Sequence, residues 1–162
     1  MIKAYLFDLS RTILFPKDKS YQSELNALHK ELSLNKNYNF SDYFELDESL
    51  LSYLESVKNK YGLYIFTSGS IQNAPEIKSR LGSIFKRIFS AEDLGFSKKD
   101  PKAYEYISEQ IGLTPDEVLF IDDSKLNIEA AQRARMNTWL YSDFKDLEER
   151  LNKALNGEQV TK

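Results

Sequence analysis

Apolar positions along the chain follow two alternating rhythms. Short runs rich in β-branched, aromatic and leucine residues predict five strands, over residues 4–9, 62–67, 87–90, 118–121 and 138–141. Between them the apolar residues recur at helical spacing. Residues 48–58 place Leu50, Leu51, Leu54 and Val57 on one stripe. Residues 101–111 open on Asp100-Pro101, a capping residue followed by proline at the first helical position. Residues 126–134, rich in alanine, and residues 144–155, a charged closing segment, complete the helices, and residues 157–162 are expected to fray. Thr114-Pro115-Asp116-Glu117 supplies a capped turn just ahead of the fourth strand. Strands alternating with helices are the pattern of βαβ units around a parallel sheet.

One stretch breaks the rhythm. A plain strand-to-helix connection takes about 2–6 residues, yet residues 10–47 separate the first strand from the first clear helix. They contain a helical pattern over 21–32 and a turn at Asn35-Lys36-Asn37. Residues 15–46 therefore predict a small lid-like insertion within a single core domain spanning 1–162, too short to be a domain of its own. Its aromatic residues Tyr38, Phe40, Tyr43 and Phe44 suit either a lid lining or core packing.

Composition narrows the chemistry. At 162 residues the chain can bury roughly 70% of its unfolded surface without covalent staples. With 22 basic and 25 acidic residues the net charge is −3, and no basic stripe stands out, which argues against nucleic acid as a partner. The absence of cysteine removes disulfides, thiolate metal sites and a thiol nucleophile, and the single histidine, His29, cannot build a multi-histidine centre. It is expected to be solvated on a surface helix. The apolar run before Asp8 is too short for a signal peptide, and no run nears the ~18 apolar residues of a membrane span. The expectation is a soluble cytoplasmic protein working with carboxylates, hydroxyls, lysines and a hard metal ion, without a membrane partner, as a monomer or weak homodimer.

In an open parallel sheet, ligands bind beyond the carboxyl ends of the strands. Those ends carry Asp8-Leu9-Ser10-Arg11-Thr12 after the first strand and Thr67-Ser68-Gly69 after the second. Gly95-Phe96-Ser97-Lys98-Lys99-Asp100-Pro101 follows the third, and Asp122-Asp123-Ser124 the fourth. A carboxylate nucleophile, a hydroxyl for a phosphoryl oxygen, a lysine against accumulating charge and acids for a hard cation are the parts of aspartyl-phosphate chemistry. The four motifs, in this order, resemble those of the haloacid dehalogenase (HAD) superfamily over nearly the whole chain, including Asn127-Ile128-Glu129-Ala130-Ala131 after the acidic pair. Receiver domains use the same residue types with the acidic pair first, so the order excludes them.

The resemblance implies a three-layer Rossmann-like α/β fold, with a mostly parallel five-stranded sheet in the order 5-4-1-2-3 and a short helical lid. It implies catalytic roles for Asp8 as nucleophile, Thr67 as phosphoryl-oxygen donor and Lys98 as the cation holding both. Mg²⁺ would be bound by Asp8, Asp123, Asp122 and the backbone carbonyl of Ser10. Ser10, Arg11, Thr67, Ser68 and Lys98 would line the phosphorylated substrate, a small molecule or a macromolecule. Thr67 competes with Ser68, and Lys98 with Lys99, for their roles. Of the acidic pair, Asp122 is the better candidate for a purely structural part, with Ser124 and Asn127 orienting its loop.

The departure is Ser10. The superfamily's phosphatases carry there a second Asp that shuttles the proton, and a serine hydroxyl is too weak an acid to replace it. General acid–base help is worth ~10²–10⁴-fold, so alkyl phosphates should suffer most. Arg11, where Gly is common, can offset charge but cannot transfer a proton. The chain is therefore expected to be a Mg²⁺-dependent phosphatase of weakened acid–base power. The alternatives are a catalytically impaired phosphate-binding or regulatory protein, or a 2-haloacid dehalogenase-like enzyme, which the acidic pair argues against.

Overall fold

The computed structural model describes residues 1–156; the tail expected to fray lies outside the described residues. The strands are β1 (Ala4–Phe7), β2 (Leu14–Pro16), β3 (Phe44–Leu46), β4 (Gly62–Thr67), β5 (Arg87–Ser90), β6 (Val118–Asp122) and β7 (Asn137–Leu140). The helices are α1 (Leu25–Leu32), α2 (Phe40–Tyr43), α3 (Glu48–Val57), α4 (Pro75–Gly82), α5 (Ala91–Leu94), α6 (Pro101–Ile111), α7 (Lys125–Arg133) and α8 (Phe144–Leu155). Single 3₁₀ turns lie at Ile71–Asn73 and Pro115–Glu117.

Five strands form one parallel sheet in the order β5-β4-β1-β6-β7. Counted along the chain as first to fifth strand, this is the expected order. Residues of β1 alternate between faces, as pleating requires. Tyr5 and Phe7 join Leu63, Ile65, Leu119 and Ile121 in an apolar layer covered by α3, α4 and α8. Ala4 and Leu6 join Phe66, Phe89, Val118 and Phe120 in the opposite layer under α6 and α7. β1 is central and buried on both faces, which is why its run reads as continuously apolar.

The ends of β1 and β6 define the site's frame. Asp8 N still donates to Ile121 O, 2.9 Å, but the chain then tightens: Leu9 O accepts the amides of Ile13 and Leu14, both at 2.9 Å. The expected strand over 4–9 therefore stops at Phe7, and Asp8 is delivered at the mouth of a turn. The caps behave as their chemistry dictates. Asp100 Oδ1 accepts from Lys102 N at 3.0 Å, and Thr114 with Glu117 forms a reciprocal capping box.

Residues 10–47 depart furthest from a simple reading. Their two ends pair as an antiparallel ladder of β2 with β3. Leu25, Phe40 and Phe44 are buried in the same apolar layer as α3, so the aromatics at 40 and 44 are core residues. Tyr43 remains 42% exposed, and Tyr38 packs at the edge of that layer. His29 is half-buried rather than solvated: Nδ1 lies 2.9 Å from the Tyr38 hydroxyl, and the ring packs edge-on to Phe40 and Phe44. Helix α1 starts at Leu25, not at residue 21, and α4 was not marked by the pattern because only Ile77 and Leu81 of its residues are buried.

Asn26, on α1, fixes this segment to the core. Its Oδ1 accepts the amides of Ser70 and Ile71, both at 3.0 Å, in the loop after β4. The approach is close enough that a Cβ on Gly69 would lie 2.6 Å from that oxygen. Gly69→Ala is thus expected to destabilise the protein by about 1–3 kcal/mol, chiefly by expelling Asn26. In a denaturant double-mutant cycle, most of that cost disappears in an Asn26→Ala background. Equal cost in both backgrounds would show that Gly69 is required for another reason.

Candidate active site

Three loops at the carboxyl edge of the sheet bring the charged residues together. Asp8 leaves β1, Asp122 ends β6 with Asp123 just after it, and Lys98 arrives from the loop before α6. Lys98 Nζ sits between two carboxylates, 2.5 Å from Asp8 Oδ1 and 2.8 Å from Asp122 Oδ2. Asp8, Asp122 and Lys98 are all buried, with Asp122 fully so. Apolar walls enclose the lysine: Nζ lies 5.4 Å from the Phe66 ring centre and 5.6 Å from that of Phe120. The Tyr104 hydroxyl donates to Lys98 O at 2.6 Å and so fixes the loop that carries it.

Asp122 is the most committed acid. Besides Lys98 it accepts from Ser124 N at 2.7 Å and from Asn127 Nδ2 at 3.0 Å, so Ser124 and Asn127 do orient this loop. Asp123 is exposed to the cleft. One carboxylate oxygen from each of Asp8, Asp122 and Asp123 can be chosen so that all lie within 4.8 Å of one another. The Asp8 carboxyl is raised to about 7, the balance of burial, which pushes it up, Lys98, which pulls it down, and Asp122 and Asp123, which raise it. Asp123 rises to about 6 through desolvation and the neighbouring Asp122. Burial alone would lower Lys98, but Asp8 and Asp122 together hold it above the ordinary lysine range. Three acids around one cation leave an excess of negative charge. An all-oxygen donor set with that excess fits a hard divalent ion such as Mg²⁺.

The remaining expected residues divide. Ser10, Arg11, Ser68 and Lys99 line the same cleft as the cluster, a cavity of about 510 Å³. Thr67 is buried below it, and its Oγ1 has no hydrogen-bond partner among the described residues. Arg11 faces the cleft but is also employed elsewhere: Nη2 donates to Tyr21 O at 2.8 Å and Ser23 O at 2.9 Å. Its φ of 61° is left-handed, a conformation that costs a residue with a Cβ roughly 1–2 kcal/mol. Gln22, Ser23 and Glu24, which the sequence did not single out, line the cleft as well. A larger hollow of about 870 Å³ runs along β7 and α8, and no carboxylate lines it among the described residues.

Fold and cluster together define a Rossmann-like α/β protein with an acidic site at the switch point of its sheet. The family model for haloacid dehalogenase-like hydrolase matches residues 11–135. The chain belongs to the haloacid dehalogenase-like hydrolase family. It is 32% identical over 101 residues to enolase-phosphatase E1 of Leptospira interrogans, a match covering 60% of this chain and 42% of that protein. To (S)-2-haloacid dehalogenase 4A of Burkholderia cepacia it is 27% identical over 130 residues, 79% of this chain and 52% of that protein. The chain thus spans about half or less of these relatives' length. Among solved structures, a HAD family enzyme from Bacteroides thetaiotaomicron, in complex with magnesium and inorganic phosphate, superposes with a TM-score of 0.69. The identity is 17%, and the match covers 91% of this chain and 99% of that one. A hydrolase from Streptococcus pneumoniae gives 0.66 at 17% identity, covering 93% and 98%. No helix among the described residues is long and apolar enough to cross a membrane.

The raised Asp8 carboxyl has a consequence for stability. Between the ordinary carboxylate range and about pH 7 the folded protein binds a proton that the unfolded chain has released. Stability from this group is therefore lost as pH rises through that window. In metal-free protein with chelator, Asp8→Asn should raise the melting temperature at pH 8 relative to wild type, and by less at pH 5. A difference independent of pH would contradict the strained-carboxylate account.

Proposed function

We propose that this chain is a phosphate-monoester hydrolase that works through an aspartyl-phosphate on Asp8, with Mg²⁺ bound by Asp8, Asp122, Asp123 and the Ser10 carbonyl. One observation carries the proposal: a buried carboxylate at the end of the central strand, salt-bridged to a buried lysine and flanked by two further acids. The named relatives include phosphatases, and a structural neighbour binds magnesium and phosphate.

Asp8 Oδ attacks phosphorus as the ester P–O bond breaks, giving the aspartyl-phosphate and a leaving oxygen that takes a proton to become the free alcohol. Water then attacks the same phosphorus, breaking the Asp8 Oδ–P bond and releasing inorganic phosphate. Lys98 holds Asp8 oriented and offsets charge gathering on the phosphoryl oxygens. The unpartnered Thr67 Oγ1 suits a phosphoryl oxygen, with Ser68 exposed beside it. Asp122, held by Lys98 and its own loop, keeps the frame in place. When bound, Mg²⁺ supplies positive charge that draws the phosphoryl group against a site otherwise rich in carboxylates. The substrate is a phosphorylated molecule entering the cleft beneath residues 15–46, which act as a partial lid on a single core domain in a cytoplasmic monomer or weak homodimer.

The test is hydrolysis of an aryl phosphate by wild type and Asp8→Asn, each with Mg²⁺ and with chelator. Turnover in wild type alone, lost with chelator, is the expected result. Wild-type rates in Asp8→Asn would remove the nucleophile assignment. Ser10 favours a second reading, a phosphate-binding protein without turnover; a silent wild type that Ser10→Asp makes active would select it.

A further inference from the structure

The loss of a proton-shuttling acid at position 10 leaves a chemical gap, and the cleft itself holds one group able to fill it. Of the carboxylates lining the cleft among the described residues, Asp8, Asp122 and Asp123 belong to the cluster around Lys98. The fourth is Glu24, on the part of the lining that the inserted segment contributes. Its side chain is exposed and has no hydrogen bond or ion pair to any described residue, whereas its backbone carbonyl accepts from the Tyr21 hydroxyl. The backbone at Glu24 is extended, with φ −67° and ψ 131°, immediately before α1.

Glu24 is placed by two clamps, each anchored on a loop of the site. One residue before it, Ser23 O is held by Arg11, the immediate neighbour of Ser10. Two residues after it, Asn26 holds the amides of the loop that follows Thr67. Both clamps constrain the backbone they hold. Arg11 adopts a left-handed φ that glycine would adopt freely, and position 69 cannot accept a Cβ while Asn26 is in place. Arg11 also takes the carbonyls of Tyr21 and Ser23, which the expected helix over 21–32 would have used for its own first turn, and residues 22–24 are left as cleft wall. The left-handed backbone at Arg11, the residue that draws this segment to the site, is a local cost of the kind that gathers at functional positions.

We propose that Glu24 is the general acid–base residue of this chain, supplying from the inserted segment the proton transfer that Ser10 cannot. The inference rests on the phosphatase reading of the same site. The Glu24 carboxyl donates its proton to the leaving oxygen as the ester P–O bond breaks and the Asp8 Oδ–P bond forms. The resulting carboxylate takes a proton from water as the water oxygen attacks phosphorus and the Asp8 Oδ–P bond breaks. Glu24 then ends protonated, ready for the next ester. The charged groups lining the cleft with it are Arg11, Lys98, Lys99, Asp8, Asp122 and Asp123. Arg11 and Asn26 are positioning residues in this scheme.

The experiment compares wild type, Glu24→Gln, Ser10→Asp and the double variant Glu24→Gln with Ser10→Asp, on an alkyl and an aryl phosphate with Mg²⁺. Inhibition by inorganic phosphate and melting temperature are measured on each. Glu24→Gln should lower kcat by roughly a hundredfold or more on the alkyl phosphate, with phosphate inhibition and melting temperature unchanged. Adding Ser10→Asp should restore most of the lost rate by supplying a second acid. Wild-type kcat in Glu24→Gln overturns the assignment while leaving the phosphatase reading intact. So does a loss that Ser10→Asp fails to repair, which would make Glu24 a purely structural residue. A wild type without Mg²⁺-dependent turnover overturns both readings together.

Discussion

Everything at the carboxyl edge of the sheet depends on one buried cation. Lys98 sits between Asp8 and Asp122, with Phe66 and Phe120 as apolar walls. An unpaired charge in such surroundings would be untenable, and each partner alone would be left as a buried ion. The sheet supplies the registration: β1 and β6 are adjacent and parallel, so Asp8 and Asp122 emerge side by side. The lysine offsets part of the resulting repulsion and leaves the rest unresolved. Residual strain of this kind is what a site pays to hold charge ready for a ligand.

The second organising constraint is the attachment of residues 10–47. A hinged lid would meet the core through few fixed polar contacts. Here Arg11 and Asn26 tie residues 21–26 to the loops after β1 and β4, and Leu25, Phe40 and Phe44 are buried in a core layer. The cleft wall is consequently built in place, with residues 22–26 lining the same cleft as the acids. A fixed wall selects substrate by shape, without an ordering cost at each binding event.

Much of this was legible in the sequence, for physical reasons. Buried parallel strands read as short apolar runs, and the chemistry stood at their ends, so the meeting of Asp8, Lys98 and Asp122 at one edge followed from pattern, and the strand order from the resemblance that the motifs carry. What stayed hidden depends on contacts distant along the chain. The apolar spacing over 21–32 suits a helix, but nothing local announces that Arg11 will take the carbonyls of Tyr21 and Ser23 and delay it to Leu25. Helix α4 escaped notice because a short, mostly polar helix buries only two apolar side chains. The ladder of β2 with β3 joins residues some thirty positions apart, through strands of three residues each. Glu24 carried no motif; only its place in the cleft that holds the acidic cluster marks it. His29 looked solvated because its aromatic neighbours come from beyond its own helix.

The central claim is that Asp8 becomes covalently phosphorylated. The most direct measurement is to mix the wild-type protein with an aryl phosphate and Mg²⁺, quench in acid within the first turnovers, and map the phosphorylated peptide by mass spectrometry. The account predicts a phosphoryl group on Asp8, absent when chelator replaces Mg²⁺. Turnover that leaves Asp8 unmodified, or a phosphoryl group on any other residue, would contradict it.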